Sequence, residues 1–274
     1  MVFGFDLIAQ ETSITGNGIT SDSTESNYQN LDAMGGPKSI GSQLKIDNQK
    51  KESFFRIPIR VTKPWYDWKK RFQEKTGIQL GINYTAVFLR SSTVIEESEN
   101  NADASSGIID FQLGWYLLGR KSGKNKGTLF FKVNSRHSYN ASKTAPMFHG
   151  INESGYYGLP AVGFNNYSIR ILELNWQQSL INDKLTIILG KVDPTNYFDF
   201  HGLIVPWTSF LGYGSSVSGT VNWPDMGLGA LVGFKFTDQF YAMGGLTDVR
   251  GDVYLDGEFF YVGENFFKGN FLRP

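Results

Sequence analysis

The 274-residue chain has no cysteine. Disulfides, thiolate nucleophiles and cysteine-containing zinc sites are excluded, and the absence suits a protein that crosses an oxidising compartment without mispairing. Excess charge is missing too. Lys and Arg number 26 and Asp and Glu number 26, so no strong field marks a nucleic-acid partner. No basic run is longer than the "RKSGKNKG" of 120–127. No stretch approaches the roughly 18 apolar residues of a membrane-spanning helix. A membrane β-barrel survives that test, because its strands alternate and never build a long apolar run. The opening "MVFGFDLIAQ" lacks a basic n-region and a long apolar h-region, so it is not a secretory signal peptide. An exported protein needs one, so the chain is expected to be a mature form or a fragment.

Catalytic signatures are scarce. No Gly-X-Ser-X-Gly elbow, HEXXH or P-loop pattern appears. The three histidines are His137, His149 and His201. His137 adjoins Ser138, but neighbours on a strand face opposite ways, so they make no dyad. Asp193 and Asp199 are the one pair that could be read as glycosidase carboxylates, and acids in a loop are more often structural. The chain is expected to be no enzyme and to need no cofactor or metal.

What the chain has is alternation. "LELNWQQSLINDKLTIILGKV" at 172–192 sets Leu172, Leu174 and Trp176 against Glu173, Asn175 and Gln177. It turns at Asn182-Asp183 and then sets Leu185, Ile187 and Leu189 against Thr186, Ile188 and Gly190. The same period of two runs through 78–89, 109–119, 127–137, 226–236 and 239–248. Strands of this length suit a tilted crossing of a bilayer, whereas soluble strands average nearer ~5–6 residues. The links also alternate. Those at 182–183 and 237–238 are very short, that at 120–127 is moderate, and those at 90–107, 138–167 and 194–225 are long. Short turns at one end and long loops at the other are usual in outer-membrane barrels. Leu80, Ile82, Phe111, Leu113, Trp115, Leu129, Phe131, Leu174 and Trp176 are expected to face away from the barrel axis.

The other face is polar and of mixed charge. Lys132, Asn134, Arg136, Glu173, Asn175 and Gln177 are the candidate channel lining, with Gly81, Gly114, Gly229 and Gly233 leaving room beside them. Such a lining suits neutral, polyhydroxylated solutes, since an anion channel would carry a richer Arg/Lys ring. The link at 194–225 is too apolar for a free loop, and Tyr197, Phe200, Trp207 and Tyr213 are the candidate constriction aromatics.

The chain divides near residue 53. Residues 1–52, rich in Ser, Thr, Asn, Gln and Gly, cannot bury enough apolar surface to offset their ordering entropy and are read as low-complexity and mostly disordered. Residues 53–274 are read as the barrel domain. It is led by a short helix at 63–78, where Trp65, Trp68 and Phe72 fall at helical spacing.

Three stretches resemble a known family. "WYDWKKRFQEKTGIQLGINYTAVF" is similar to the opening of the carbohydrate-selective porins of the OprB type, where a Trp-rich helix leads through Gly into the first strand. "LELNWQQSLINDKLTIILGKVDPTNYFD" resembles the family's Leu-Glu-X-X-Trp strand, turn and Gly-Lys-(Val/Ile)-Asp-Pro segment. "NWPDMGLGALVGFKFTDQFYAMGGLTD" resembles its Pro-X-X-Gly-Leu-Gly hairpin. The resemblance runs over about 60–265. It implies an all-β, antiparallel outer-membrane barrel that passes sugars and other small neutral solutes in a Gram-negative cell, with lipid around it and room for homo-oligomers. The chain supplies about eight or nine candidate strands, roughly half the family's complement. Its last residues also lack a terminal strand closing on an aromatic. An open sheet is therefore expected, with 78–89 lacking its partner from a C-terminal half. The alternative from another class is a secreted β-sandwich lectin that stacks sugars on Trp207, Trp223 and Tyr213.

Overall fold

The period-two segments form one antiparallel sheet. The computed structural model describes residues 5–6, 36, 38–48, 59–95, 102–140, 143–155, 158–198, 212, 214, 224–237 and 240–248. In chain order the elements are β1 (Phe5–Asp6), α1 (Ile40–Asn48), α2 (Ile59–Thr76), β2 (Ile78–Arg90), β3 (Asp103–Leu118), β4 (Gly127–Ser138), α3 (His149–Glu153), β5 (Tyr167–Leu180), β6 (Leu185–Val192), β7 (Gly227–Lys235) and β8 (Tyr241–Thr247). Each strand pairs with the next, in the order β1 to β8. Among the described residues no first-to-last pairing closes the sheet. Residues 250–265, the stretch that would close it on β2, lie outside the described residues. The free edge of β2 does meet a partner the sequence reading did not foresee: Phe5 and Asp6 pair with Ala86 and Thr85.

Two strands begin earlier than expected. The sequence put β3 at 109 and β5 at 172, whereas they start at Asp103 and Tyr167. Polar residues such as Asp103, Ser105 and Arg170 open both strands. They interrupt the apolar alternation but not the ladder of backbone hydrogen bonds, which the register carries through to Asp103 and Tyr167. The helix before β2 also starts earlier, at Ile59, so Pro64 lies inside it.

Register sorts the side chains into two faces. Ile78, Trp115, Leu129, Trp176, Leu189, Ala230 and Leu246 form one cross-strand rung over β2 to β8. This face is bare: Leu246 is 73% exposed and Ile82 57%. Leu80, Phe111, Leu113, Phe131 and Leu174 share it by alternation. On β2 its residues run from Ile78 to Phe88. Ten steps at ~3.3 Å, tilted by ~40°, span ~25 Å, the height of the apolar band of a membrane barrel. Aromatic groups flank the band. Trp115 and Trp176 lie toward the short turns. Toward the long loops, Tyr84 meets His137 Nε2 at 3.1 Å and also bonds the Tyr139 hydroxyl.

Leu172 departs from the expected outer face. Lys132 pairs with Glu173 and Val133 with Ile171, so Leu172 is the extra residue of a bulge. It is buried against Met226. The bulge shifts the phase of the strand and brings Arg170 opposite Asn134, on the inner face.

The short turns share one end. The backbone N–H of Asn125 donates to Asp183 Oδ1 at 2.9 Å, and that of Asn182 donates to Asn125 Oδ1 at 2.9 Å. The helix α2 lies at this end, where Arg120 donates to the carbonyls of Gln73 and Lys75.

Candidate functional site

The inner face between β2 and β5 carries two polar rungs. Asn83, Asp110, Asn134 and Arg170 stand opposite one another, and one step down are Gly81, Gln112, Lys132 and Glu173. Each rung holds one acid and one base, so this wall is charged in detail and neutral in sum. Asp110, Gln112, Lys132, Asn134, Glu173 and Asn175 are all buried. Arg136 and Gln177 are half-buried on the same face. Arg136 donates to Asn165 Oδ1 at 2.5 Å.

Three covers bury these rungs. The first is α1, whose Ile40 and Leu44 pack on Phe130. Its position corrects the reading of 40–48 as unstructured. Composition alone would leave these residues unfolded, and they are ordered by a seat on the sheet. The second is the link between β4 and β5, where Ala161 and Phe164 pack on Val87, Leu89 and Ile108. This link is pinned by the Lys143–Asp103 ion pair, by a Thr144–Glu153 hydrogen bond and by Ser91 Oγ against His149 Nε2 at 2.9 Å. Burial depresses the His149 pKa, with Glu153 and Asp103 opposing and Lys143 adding to the effect.

The third cover grows from the Gly190-Lys191-Val192-Asp193-Pro194 segment. Gly190 has φ of +134°, and a Cβ there would lie 2.4 Å from the Leu174 carbonyl oxygen and 2.8 Å from Asn175 Cα. Glycine alone lets β6 approach β5 this closely. Asp193 then accepts from the Thr195 backbone N–H at 2.9 Å and from its hydroxyl at 2.6 Å, and Pro194 opens the 3₁₀ turn Pro194–Asn196. The turn sends the chain inward. Asn196 Nδ2 donates to Glu173 Oε1 at 2.8 Å, and the Tyr197 hydroxyl donates to Glu173 Oε2 at 3.4 Å. Asn175 Nδ2 reaches the same Oε2 at 3.2 Å. Tyr197 packs on Ile188, Val192 and Leu231, with Phe198 and Met243 against them. Burial first, then Glu173, pushes its phenol well above the ordinary range, so it stays a donor.

A family model for the carbohydrate-selective porins, OprB family, matches residues 108–270 of the 274. The chain belongs to this family. No curated protein and no solved structure matches it. The match runs from within β3 through β8 and takes in the whole Glu173 knot, but not α1, α2 or β2. In the porin fold the inner face is the lumenal side, and the bare apolar face is the lipid side. The Gly-Lys-Val-Asp-Pro signature is thus a folding device that turns the chain from the wall into the lumen.

The structure brings Lys132, Glu173, Asn175 and Tyr197 into one neighbourhood. Asn134 and Arg136 lie further along β4 toward the long loops, and Gln177 lies toward the short turns. Phe200, Trp207 and Tyr213 lie outside the described residues. Sequence reasoning missed Asp110 and Arg170, the first by emphasis and the second because the bulge is silent in the sequence. It also missed Phe130, an apolar residue among polar inner positions. That Phe, beside Gly114 and near Gly81, was the available signal that something packs there.

Proposed function

We propose that the chain builds the wall of an outer-membrane channel for passive diffusion of small neutral hydrophilic solutes, sugars among them. One observation carries the reading: a ~25 Å apolar band backs directly onto polar rungs of zero net charge. Within these two rungs acids match bases one for one, and Arg136 is one further base on the same face, so the described wall lacks the rich single-sign ring of an ion-selective pore. Asp110 Oδ1, Gln112 Oε1 and Asn175 Oδ1 are buried acceptors with no donor among the described residues. Hydroxyl groups of a polyol are donors of the right kind for them.

In this reading the six lining residues divide by depth. Arg136 and Gln177 face solute. Lys132, Asn134, Glu173 and Asn175 form the layer beneath and hold the covers in place. Tyr197 anchors the root of the constriction, and Phe200, Trp207 and Tyr213 continue it inward. Lipid of the Gram-negative outer membrane is the partner of the outer face, and residues 53–274 are the barrel part. The full-length protein reconstituted in liposomes should swell them in neutral mono- and disaccharides, with little discrimination between small cations and anions. Selectivity for phosphate-like anions would end the reading. So would recovery of the chain in an aqueous urea wash without detergent, which is the behaviour of a secreted lectin.

A further inference from the structure

We propose that α1, with the residues just before it, is a removable plug in the channel, and that solute passes the polar wall only when this segment leaves its seat. The proposal rests on the channel reading above and adds a gate to it.

The seat is carved into the sheet. A Cβ on Gly81 would lie 2.5 Å from Asp47 Oδ2 and 3.1 Å from Leu44 Cδ2. A Cβ on Gly114 would lie 2.9 Å from Leu44 Cδ1 and 3.0 Å from Phe130 Cε1. Two glycines one rung apart on neighbouring strands, with Phe130 as the floor, leave a hollow that Leu44 fills; its exposure is 0%. The hollow lies on the inner face, directly beside the Gln112–Lys132–Glu173 rung, so the occupant stands over the polar wall.

The hold is light. Asn83 Nδ2 donates to Asp47 Oδ2 at 3.1 Å, Lys69 Nζ to the Asp47 carbonyl at 3.3 Å, and the Gly36 N–H to the Asn196 carbonyl at 3.3 Å. Ile40 and Leu44 are the buried apolar side chains of the helix. The sequence IGSQLKIDN, with Gly41, Ser42, Asp47 and Asn48, is a poor helix on its own. It is short besides, and isolated helices of this length are unstable in water. Its order therefore depends on the seat, and leaving the seat returns the conformational entropy of the segment. A short element whose buried apolar side chains are Ile40 and Leu44 opens more readily than the wall it sits on. The Gly36–Asn196 bond also ties it to the turn that roots the third cover, so both obstructions in the lumen are mechanically joined.

The absence of cysteine allows a direct test. In the full chain, Asp47→Cys/Asn83→Cys places two thiols where the side chains now meet. Oxidised to a disulfide in liposomes, the variant should swell in a neutral disaccharide about tenfold more slowly than after reduction, because the competent population is removed. Deletion of 36–48, and independently Gly81→Leu, which fills the seat while leaving the helix sequence unchanged, should each swell faster than the parent. Equal rates for oxidised and reduced protein would overturn the gate. So would failure of the pair to cross-link in a folded, inserted chain. If every form inserts and none swells, the deletion included, then the channel reading itself has failed, and the gate with it.

Discussion

The two halves of the inner wall are covered by different means. From β2 to β5 the wall is polar, and a helix and a folded link lie on it. From β6 to β8 it is apolar, with Ile188, Val192 and Leu231 facing inward, and Tyr197 and Phe198 close over them. The apolar half is held by packing that needs no precise partner. The polar half is covered through two small apolar seats, Ile40 and Leu44 on Phe130 and Ala161 and Phe164 on Val87, Leu89 and Ile108, with hydrogen bonds and the Lys143–Asp103 ion pair around them, so its covers are smaller and easier to undo. Glu173 stands at the border. It belongs to the polar wall by register and receives the turn that covers the apolar half.

Removing Glu173 should break the comparison most severely. Glu173→Leu leaves the amides of Asn175 and Asn196 and the Tyr197 hydroxyl without their shared acceptor, and Lys132 without the carboxylate opposite it. Breaking such a buried charged network costs about 3–5 kcal/mol. Guanidinium unfolding in detergent, followed by tryptophan fluorescence, measures it. Glu173→Gln keeps an acceptor and should lose much less. Equal stability of the Leu variant and the parent would mean that the apolar contacts of Tyr197 alone hold the third cover.

The lipid face offers a test one step along the same strand. Leu113→Arg places a cation on the bare face of β3 and should cost about 2–4 kcal/mol where that site lies at mid-bilayer. Gln112→Glu, its neighbour on the inner face, also adds a charge but should cost clearly less, because Lys132 stands opposite it. If the two variants unfold alike in lipid bilayers, the two faces do not differ as register implies.

A smaller and local effect is expected in the seat of α1. Leu44→Ala removes most of the buried apolar surface of the helix, about 2 kcal/mol at the low end for a buried leucine. The loss should fall on the helix and not on the sheet. Hydrogen exchange should accelerate at residues 40–48 while the global unfolding midpoint stays put. A lowered midpoint with unchanged exchange would show that α1 unfolds together with the wall.

The same contrast explains what the sequence could disclose. Alternation is written locally, so the strands and their faces were legible: Ile78 to Phe88 needs no information beyond itself. The covers are written in contacts between distant residues. Nothing near Leu44 announces Phe130, and only the glycines at 81 and 114 hint at a missing volume. The loop reading can be compared only at the root of the link, because 199–211 lie outside the described residues. The residues 194–198 do turn inward, yet the cover from 143 to 165 went unnoticed, because its apolar content is scattered through polar chain. The bulge at Leu172 leaves no local mark, so the inward turn of Arg170 could not be read. The turn after Gly190 was recognised as a family signature, but its reason, a backbone 2.4 Å from where a Cβ would sit, exists only in three dimensions.

The smallest expected effect concerns acid and the second cover, the link around α3. The His149 imidazole is buried, with Ser91 Oγ at 2.9 Å from Nε2. Its pKa lies below the ordinary 6.5. The unfolded link therefore takes up a proton at a pH where the folded link does not. By linkage, stability supplied by the neutral ring is fully present above pH ~6.5 and is lost as pH falls from there toward the lowered value. Glu153 and Asp103 attract the charged form and moderate the loss, and Lys143 adds to it. Proteolytic cleavage within 143–165 should thus speed up as pH falls below ~6.5. His149→Gln, which keeps a hydrogen-bonding group toward Ser91, should flatten the dependence. A slope that persists in that variant would show that His149 is not the titrating group.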